Sequence, residues 1–150
     1  MKRILSLLLV MMFLITLVGC DSDPNNINGK YIVNGYQTAA KGESAYKWES
    51  LTNDQFYVVI EKAKIVTVYL NGTSYTGNFE DKGNTYNTTI TWGSGNGPGS
   101  QIFDGWKIFH TNIGFTSNGE LHLTIYMSYS SSASEWTQRA TIRFEKEDKE

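Results

Sequence analysis

Histidine and cysteine, the side chains best suited to metal binding and nucleophilic catalysis, are scarce in this 150-residue chain. The only histidines are His110 and His122, and the sequence places no Asp or Glu at metal-ligand spacing from either one. We therefore expect partly exposed histidines on a β-sheet and no metal site. The only cysteine, Cys20, excludes an internal disulfide and any site built from several cysteines.

Serine and glycine motifs give no stronger indication of catalysis. No serine stands in a Gly-x-Ser-x-Gly nucleophile motif, and the serine run at residues 130–134 is typical of a low-complexity loop. The glycine-rich residues 93–100 lack the Gly-Lys-Ser/Thr ending of a phosphate-binding loop and stand between two predicted strands. We predict that they form a flexible loop at the rim of the fold, where a loop can act as a lid or contact a partner.

One carboxylate, Asp104, stands among apolar residues. If this stretch is a strand, Asp104 shares a face with Ile102, Trp106 and Ile108, where burial would raise its pKa; an exposed rim carboxylate is the commoner alternative. A single such residue does not form a general acid–base pair. We predict a protein without catalytic residues or cofactors, and an uncharacterised hydrolase or isomerase is the alternative.

The four tryptophans are the best candidates for ligand contact. Trp92 and Trp136 fall on apolar faces of predicted strands, which favours packing in the core. Trp48 lies in an irregular segment and Trp106 stands next to a glycine, so neither has an obvious core position. We predict that Trp48 and Trp106 line a ligand site near an open end of the fold.

The charge balance excludes one class of partner. The chain carries 13 Lys and Arg against 15 Asp and Glu, a net charge of −2. Proteins that bind nucleic acid present a basic patch or stripe to the phosphates, and this sequence has none. We predict no nucleic-acid partner.

The first nineteen residues have the order of a secretory signal. Lys2 and Arg3 are followed by an apolar run over residues 4–18 and then by the small residue Gly19. The run of about 15 residues is shorter than the roughly 20 needed to span a bilayer as a helix. We predict that residues 1–19 are removed and that residues 20–28 form a short polar tether.

The end of this segment, Leu17-Val18-Gly19-Cys20, resembles the lipobox of bacterial lipoproteins. The resemblance implies cleavage before Cys20 and acylation of that residue, with fatty chains such as palmitate holding the protein to a membrane of the cell envelope. Two or more acyl chains on one residue suffice for stable anchoring. The alternative is an ordinary signal peptide with an incidental cysteine.

The rest of the chain has a β-sheet composition and pattern. Aromatic residues make up 13% of the sequence, and apolar and polar residues alternate over long segments, as in strands with one wet face. Residues 56–60 and 65–70 are apolar on both faces, so these strands should be central or covered. We predict eight strands, near residues 30–36, 55–61, 64–70, 74–79, 85–92, 102–110, 120–129 and 136–145.

Turn signals separate the predicted strands. Asn71-Gly72 and Asn118-Gly119 favour two-residue hairpins of type I′, in which both central residues have positive φ. Residues 61–64 and 81–84 indicate slightly longer hairpin loops. Residues 43–51 are the one stretch with helical spacing of apolar residues, although Trp48 there suits a strand equally.

Eight strands joined mainly by short hairpins predict an all-β fold, a single antiparallel up-and-down barrel over residues 29–146 followed by a charged tail at 147–150. A two-sheet β-sandwich is the alternative, although it needs a long crossover that few segments here permit.

The strand and turn pattern resembles small bacterial lipocalin-like lipoproteins. The matching segments are Gly29-Lys30-Tyr31 and residues 56–60, 68–72, 75–79 and 142–146. The family usually has Trp at the position of Phe79 and Asp-Gly at the position of Asn71-Gly72. The resemblance implies a calycin-type barrel and no particular ligand.

Two functions fit these observations. The first is a lipid-anchored, non-enzymatic binding module for an apolar or amphipathic small ligand or a peptide. The second is a protein-interaction or inhibitor module with a filled core that acts through its loops, with residues 93–100 and 130–134 as contact elements. The two differ in whether the barrel interior is hollow or packed, and a barrel of about eight strands allows either outcome.

Overall fold

The computed structural model describes residues 26–79 and 89–148. Cys20, the preceding signal segment and the predicted turn at residues 81–84 therefore lie outside the described residues. The described part contains nine strands and one short helix. They are β1 (Gly29–Ala40), β2 (Glu49–Ser50), β3 (Phe56–Glu61), β4 (Ile65–Leu70), β5 (Thr73–Asn78), β6 (Thr89–Gly93), α1 (Gly99–Ile102), β7 (Lys107–Phe115), β8 (Leu121–Ser128) and β9 (Gln138–Lys146).

The strands form a nearly closed antiparallel barrel, which confirms the predicted fold class. Their order is β5-β4-β3-β1-β9-β8-β7-β6, and the two-residue β2 pairs beside β1. Every pairing in this order is antiparallel. The barrel closes between β1 and β9, and one seam, between β5 and β6, is without strand pairing in the described residues.

The barrel has two different ends. The tether end contains the start of β1 at Gly29, the end of β9 at Lys146 and the hairpin turns that follow β3 and β7. The loop end contains the longer connections, which run over residues 41–48, 94–106 and 129–137. Ile27, at the tether end, is buried, and its carbonyl accepts a hydrogen bond from the Tyr31 hydroxyl at 2.8 Å.

The interior of the barrel is filled by apolar side chains. Alternate residues of each strand point inward, and the largest of those that expose under 2% of their surface come from β3, β4, β7 and β8. They are Val58, Ile60, Val66, Val68, Ile113, Leu121, Leu123, Ile125 and Met127. β3 and β4 are central strands, paired on both sides, which was one of the two predicted alternatives; their outer faces are half-buried and not covered.

The hairpin turns follow the predicted chemistry only in part. Asn71 and Gly72 have φ of 47° and 83°, as the predicted type I′ turn requires. At Asn118-Gly119 only the glycine has positive φ, and its N–H donates to the Thr116 carbonyl at 3.0 Å. That hairpin therefore forms with a wider turn than predicted, in which a single left-handed residue suffices.

The turn between β3 and β4 has the same backbone shape without a glycine. Lys62 and Ala63 have φ of 54° and 51°, a region in which a Cβ is sterically unfavourable. We expect Ala63→Gly to raise the free energy of unfolding by about 0.5–1 kcal/mol, because glycine adopts this conformation without strain. Urea unfolding measures the change. Ala45→Gly, in an exposed loop where φ is negative, is the control and should be neutral or destabilising.

Two predicted elements differ in the structure. The strand predicted at 102–110 lies instead at Lys107–Phe115, because residues 99–102 form α1 and Gly105, with φ of 79°, breaks any extended path before β7. The alternation of apolar residues there reflects a helical turn and a bend. Residues 43–51 form no helix; they are an exposed loop followed by β2.

Candidate functional site

The loop end is closed by the glycine-rich segment. Gly97, Pro98 and Gly99 are all buried, unlike the residues on either side of them. A Cβ at Gly99 would lie 2.6 Å from Thr111 Oγ1 and 3.0 Å from Ile125 Cγ2, so only glycine permits this approach to the core. The segment lies at the rim as predicted, but its centre is packed on the core and is not a flexible loop. We call residues 97–102, which are this buried centre together with α1, the plug.

The plug also spans the open seam. Gln101, in α1, donates from Nε2 to Thr73 Oγ1 of β5 at 3.1 Å. Further along the seam, Ile90 of β6 packs on Gly77 of β5, where a Cβ would lie 2.7 Å from Ile90 Cγ2. Side-chain contacts therefore hold the two strands together where main-chain pairing is missing.

Several aromatic side chains lie in the part of the barrel towards the loop end. Trp106 packs edge-on against Phe103 and Tyr129, with ring centroids 6.3 and 5.4 Å apart, and Tyr129 is 76% exposed. Three further half-buried aromatic residues pack on the core from the half of β1, β5 or β6 nearer the loop end. We call these residues together the aromatic rim. It consists of Tyr36, Tyr75, Trp92, Phe103, Trp106 and Tyr129.

The two predicted ligand residues lie in different places. Trp106 belongs to the aromatic rim, whereas Trp48 lies half-buried on the outer face of the barrel, against His122 and Arg143. The structure does not bring the two tryptophans into one site. Within the rim, the Tyr36 hydroxyl donates to the Glu49 carboxylate, and this hydrogen bond raises the pKa of Tyr36.

The other residues considered for chemistry are also apart. Trp92 packs against the core as predicted, but the prediction for Trp136 was wrong: it contacts Tyr126 on the outer face. Asp104 is exposed in the turn after α1 and does not share a strand face with Ile108. The described residues contain no group of three or more His, Cys, Asp or Glu side chains able to hold a metal ion.

The two histidines lie on the outer faces of β7 and β8 and do not meet. His110 stacks on Tyr126 at 4.2 Å, and His122 stands four residues away along β8, or about 13 Å. Contrary to expectation, His122 has a carboxylate neighbour, because Glu120 lies two residues earlier and its Oε2 is 3.2 Å from Nε2. The spacing of two, which brings side chains to the same strand face, was the signal available in the sequence.

Burial lowers the pKa of His122, against the opposing effect of Glu120. The unfolded chain then binds a proton at this histidine more readily than the folded chain does. The contribution of His122 to the free energy of unfolding should therefore be fully present above about pH 6.5 and decrease as the pH falls from there towards the folded pKa. We expect His122→Gln to reduce this loss. Urea midpoints at about pH 7.5 and about pH 5 measure it. The control His110→Gln removes the other histidine of the outer faces and leaves His122 and Glu120 in place.

Comparisons with protein-family models, with curated proteins and with solved structures each give no significant match. Among the described residues, no helix is long and apolar enough to cross a membrane.

Proposed function

We propose that this chain is a membrane-anchored envelope lipoprotein whose lipocalin-like barrel is a non-enzymatic interaction module that acts through its loop end. The proposed anchor is acylated Cys20, a few residues before the start of β1 at Gly29. Since β1 starts at the tether end, the loop end would face away from the membrane. A nine-residue strand is about 30 Å long, which is the approximate distance between the tether end and the loop end.

The filled interior is the observation that carries this proposal. Val58, Ile113 and Leu123 have no exposed surface, and the plug at Gly99 packs on the same core from the loop end. A ligand inside the barrel would have to displace several such side chains, each of which stabilises the fold by about 1.5–3 kcal/mol through its burial. Binding at the surface of the loop end needs no such displacement.

The loop end has the composition of a binding surface. Tyr129 is exposed on Trp106, and the adjoining residues 130–134 are four serines and one alanine. Tyrosine and tryptophan supply rigid contact area, while serine and glycine supply adaptable hydrogen bonding, as in antibody loops. A partner docking here would bury the large apolar surface of Tyr129, which is otherwise left in water.

Photo-crosslinking tests the loop end directly. With benzoylphenylalanine at position 129 in the full chain, expressed in its own cells, we expect one discrete adduct that Trp106→Ala strongly reduces. The same crosslinker at Tyr69, on the outer face of β4, is the matched control and should give no such adduct. Equal adducts from both positions, or none from position 129, would contradict the proposal.

Labelled palmitate tests the anchor separately. The full chain should incorporate the label and partition into membranes, and Cys20→Ser should abolish both. Incorporation that persists in Cys20→Ser, or no incorporation in the parent chain, would remove the lipoprotein assignment and leave the loop-end proposal standing.

A second candidate is favoured by the half-buried apolar residues of the rim. Tyr36, Tyr75 and Trp92 pack on the core yet keep part of their surface exposed, so an apolar or amphipathic small molecule would gain burial there. Native mass spectrometry of the full chain purified from its cells should then find a bound small molecule, and Trp92→Ala should reduce it. A mass equal to that of the chain with its acyl groups alone would contradict this candidate.

A further inference from the structure

A second surface, on the outer wall of the barrel and flanked by two of the loop-end connections, has the features of a binding site. It lies on the outside of the barrel across β7, β8, β9 and β1, whose registers align their outward side chains in rows. The middle row contains Asn112, Thr124, Thr141 and Gln37. We call this row and the aromatic residues on either side of it the outer cleft.

Aromatic side chains flank the middle row along the strand direction. On one side, Trp48 packs over Gly35 and against Arg143, whose guanidinium carbon is 4.7 Å from the ring centroid. On the other side, Trp136 packs edge-on against Tyr126 at 5.0 Å. His122, which contacts Trp48, and Tyr126 are four residues apart on β8, so the two flanks are about 13 Å apart.

The floor between the flanks is recessed and polar. Thr141 points outward from the barrel, yet it is only 9% exposed, and its hydroxyl lies 3.4 Å from that of Thr124. Asn112 Oδ1, in this floor, is buried and has no hydrogen-bond partner. Within the described part of the chain, the half-buried side chains of Gln37, in the floor, and Arg139, beside Tyr126 in one flank, form neither a hydrogen bond nor an ion pair. A buried polar atom normally has a hydrogen-bond partner, so Asn112 Oδ1 is open to a donor from a ligand.

We propose that the outer cleft binds a short saccharide chain. Aromatic rings pack against the C–H faces of sugars, while amide, hydroxyl and guanidinium groups bond to sugar hydroxyls, and the cleft combines both kinds of contact. The unpaired guanidinium of Arg139 suits a sugar that carries a carboxylate. The polar floor disfavours a lipid tail, and all four strands here are paired on both sides, so a peptide finds no strand edge to extend.

Calorimetric titration and tryptophan fluorescence of the full chain in detergent test this proposal with two probes, tetragalacturonate and chitotetraose. We expect binding of at least one, preferably the acidic one. Trp136→Ala and Arg139→Ala should each weaken it by about tenfold. Tyr69→Ala removes a half-buried aromatic ring from the outer face of β4 and is the matched control, which should bind as the parent does.

The alternatives give different results. If neither saccharide binds at millimolar concentration, or if Tyr69→Ala weakens binding as much as Arg139→Ala does, the proposal is wrong. Binding of hexaglutamate without binding of either sugar would assign the cleft to a protein partner and would also overturn the saccharide proposal. If Trp136→Ala fails to fold, Arg139→Ala decides the result. Trp106→Ala, in the aromatic rim, should leave saccharide binding unchanged, so this test is independent of the loop-end proposal.

Discussion

Phe144→Ala should lower the free energy of unfolding by about 3–5 kcal/mol, the usual cost of removing a buried aromatic ring. Phe144 is 2% exposed, and its ring packs edge-on against that of Phe56 with centroids 5.2 Å apart. The two rings lie on β9 and β3, so their contact joins the two strands that pair with β1 on either side. The cavity left by alanine would stand at the centre of that junction.

Chemical unfolding monitored by circular dichroism measures this loss. Tyr69→Ala is the control, because it removes a ring of similar size from the stacked pair with Tyr57 on the outer face and should cost about 1 kcal/mol. Equal losses in the two variants would mean that the inner and outer faces of the sheet contribute alike, contrary to the burial described above.

Gly99→Val should destabilise the domain by about 2–3 kcal/mol, because the added carbons overlap Thr111 Oγ1 and Ile125 Cγ2. Thr111→Ala should relieve part of the overlap, so the double variant should lose less than the sum of the single losses. Gly93→Val, earlier in the same glycine-rich stretch, meets no atom within 4 Å and serves as the control.

Urea unfolding of the parent chain, Gly99→Val, Thr111→Ala and the double variant gives the free energies of this double-mutant cycle. Additive losses for Gly99→Val and Thr111→Ala would show that the plug does not sit on Thr111. Similar losses for Gly93→Val and Gly99→Val would show that valine is poorly tolerated throughout this stretch for local backbone reasons, and not because of a packed plug.

The barrel could be predicted because its strands and turns are determined by residues that are close together in the sequence. Residues 121–128 alternate strictly between apolar and polar, and one face of β8 is buried in the structure from Leu121 to Met127. Asn71-Gly72 likewise carries its turn type in two residues. Both features depend on the period of a strand and on the φ that asparagine and glycine tolerate, which a sequence shows directly.

The plug and the outer cleft were not predictable by the same reasoning. Glycine at position 99 can indicate either a mobile loop or a close approach to the core, and only the position of Thr111, brought there by β7, distinguishes them. Trp136 stands two residues before β9 begins, so the alternation that placed it inside did not apply to it. The row of Gln37, Thr124 and Thr141 joins three strands through registers that no single segment specifies.

The pairing of β1 with β9 has a consequence for how the chain acquires its structure. Tyr31 pairs with Lys146 and Ala40 with Gln138, so the partners in this ladder are 98 to 115 positions apart. A chain that emerges from its amino end, during synthesis or export, can form the β3–β4–β5 hairpins early. Its first strand, β1, can be paired on both edges only after the last strand, β9, has emerged. Such a high contact order predicts slow, late closure, with one edge of β1 open to wrong partners until β9 arrives.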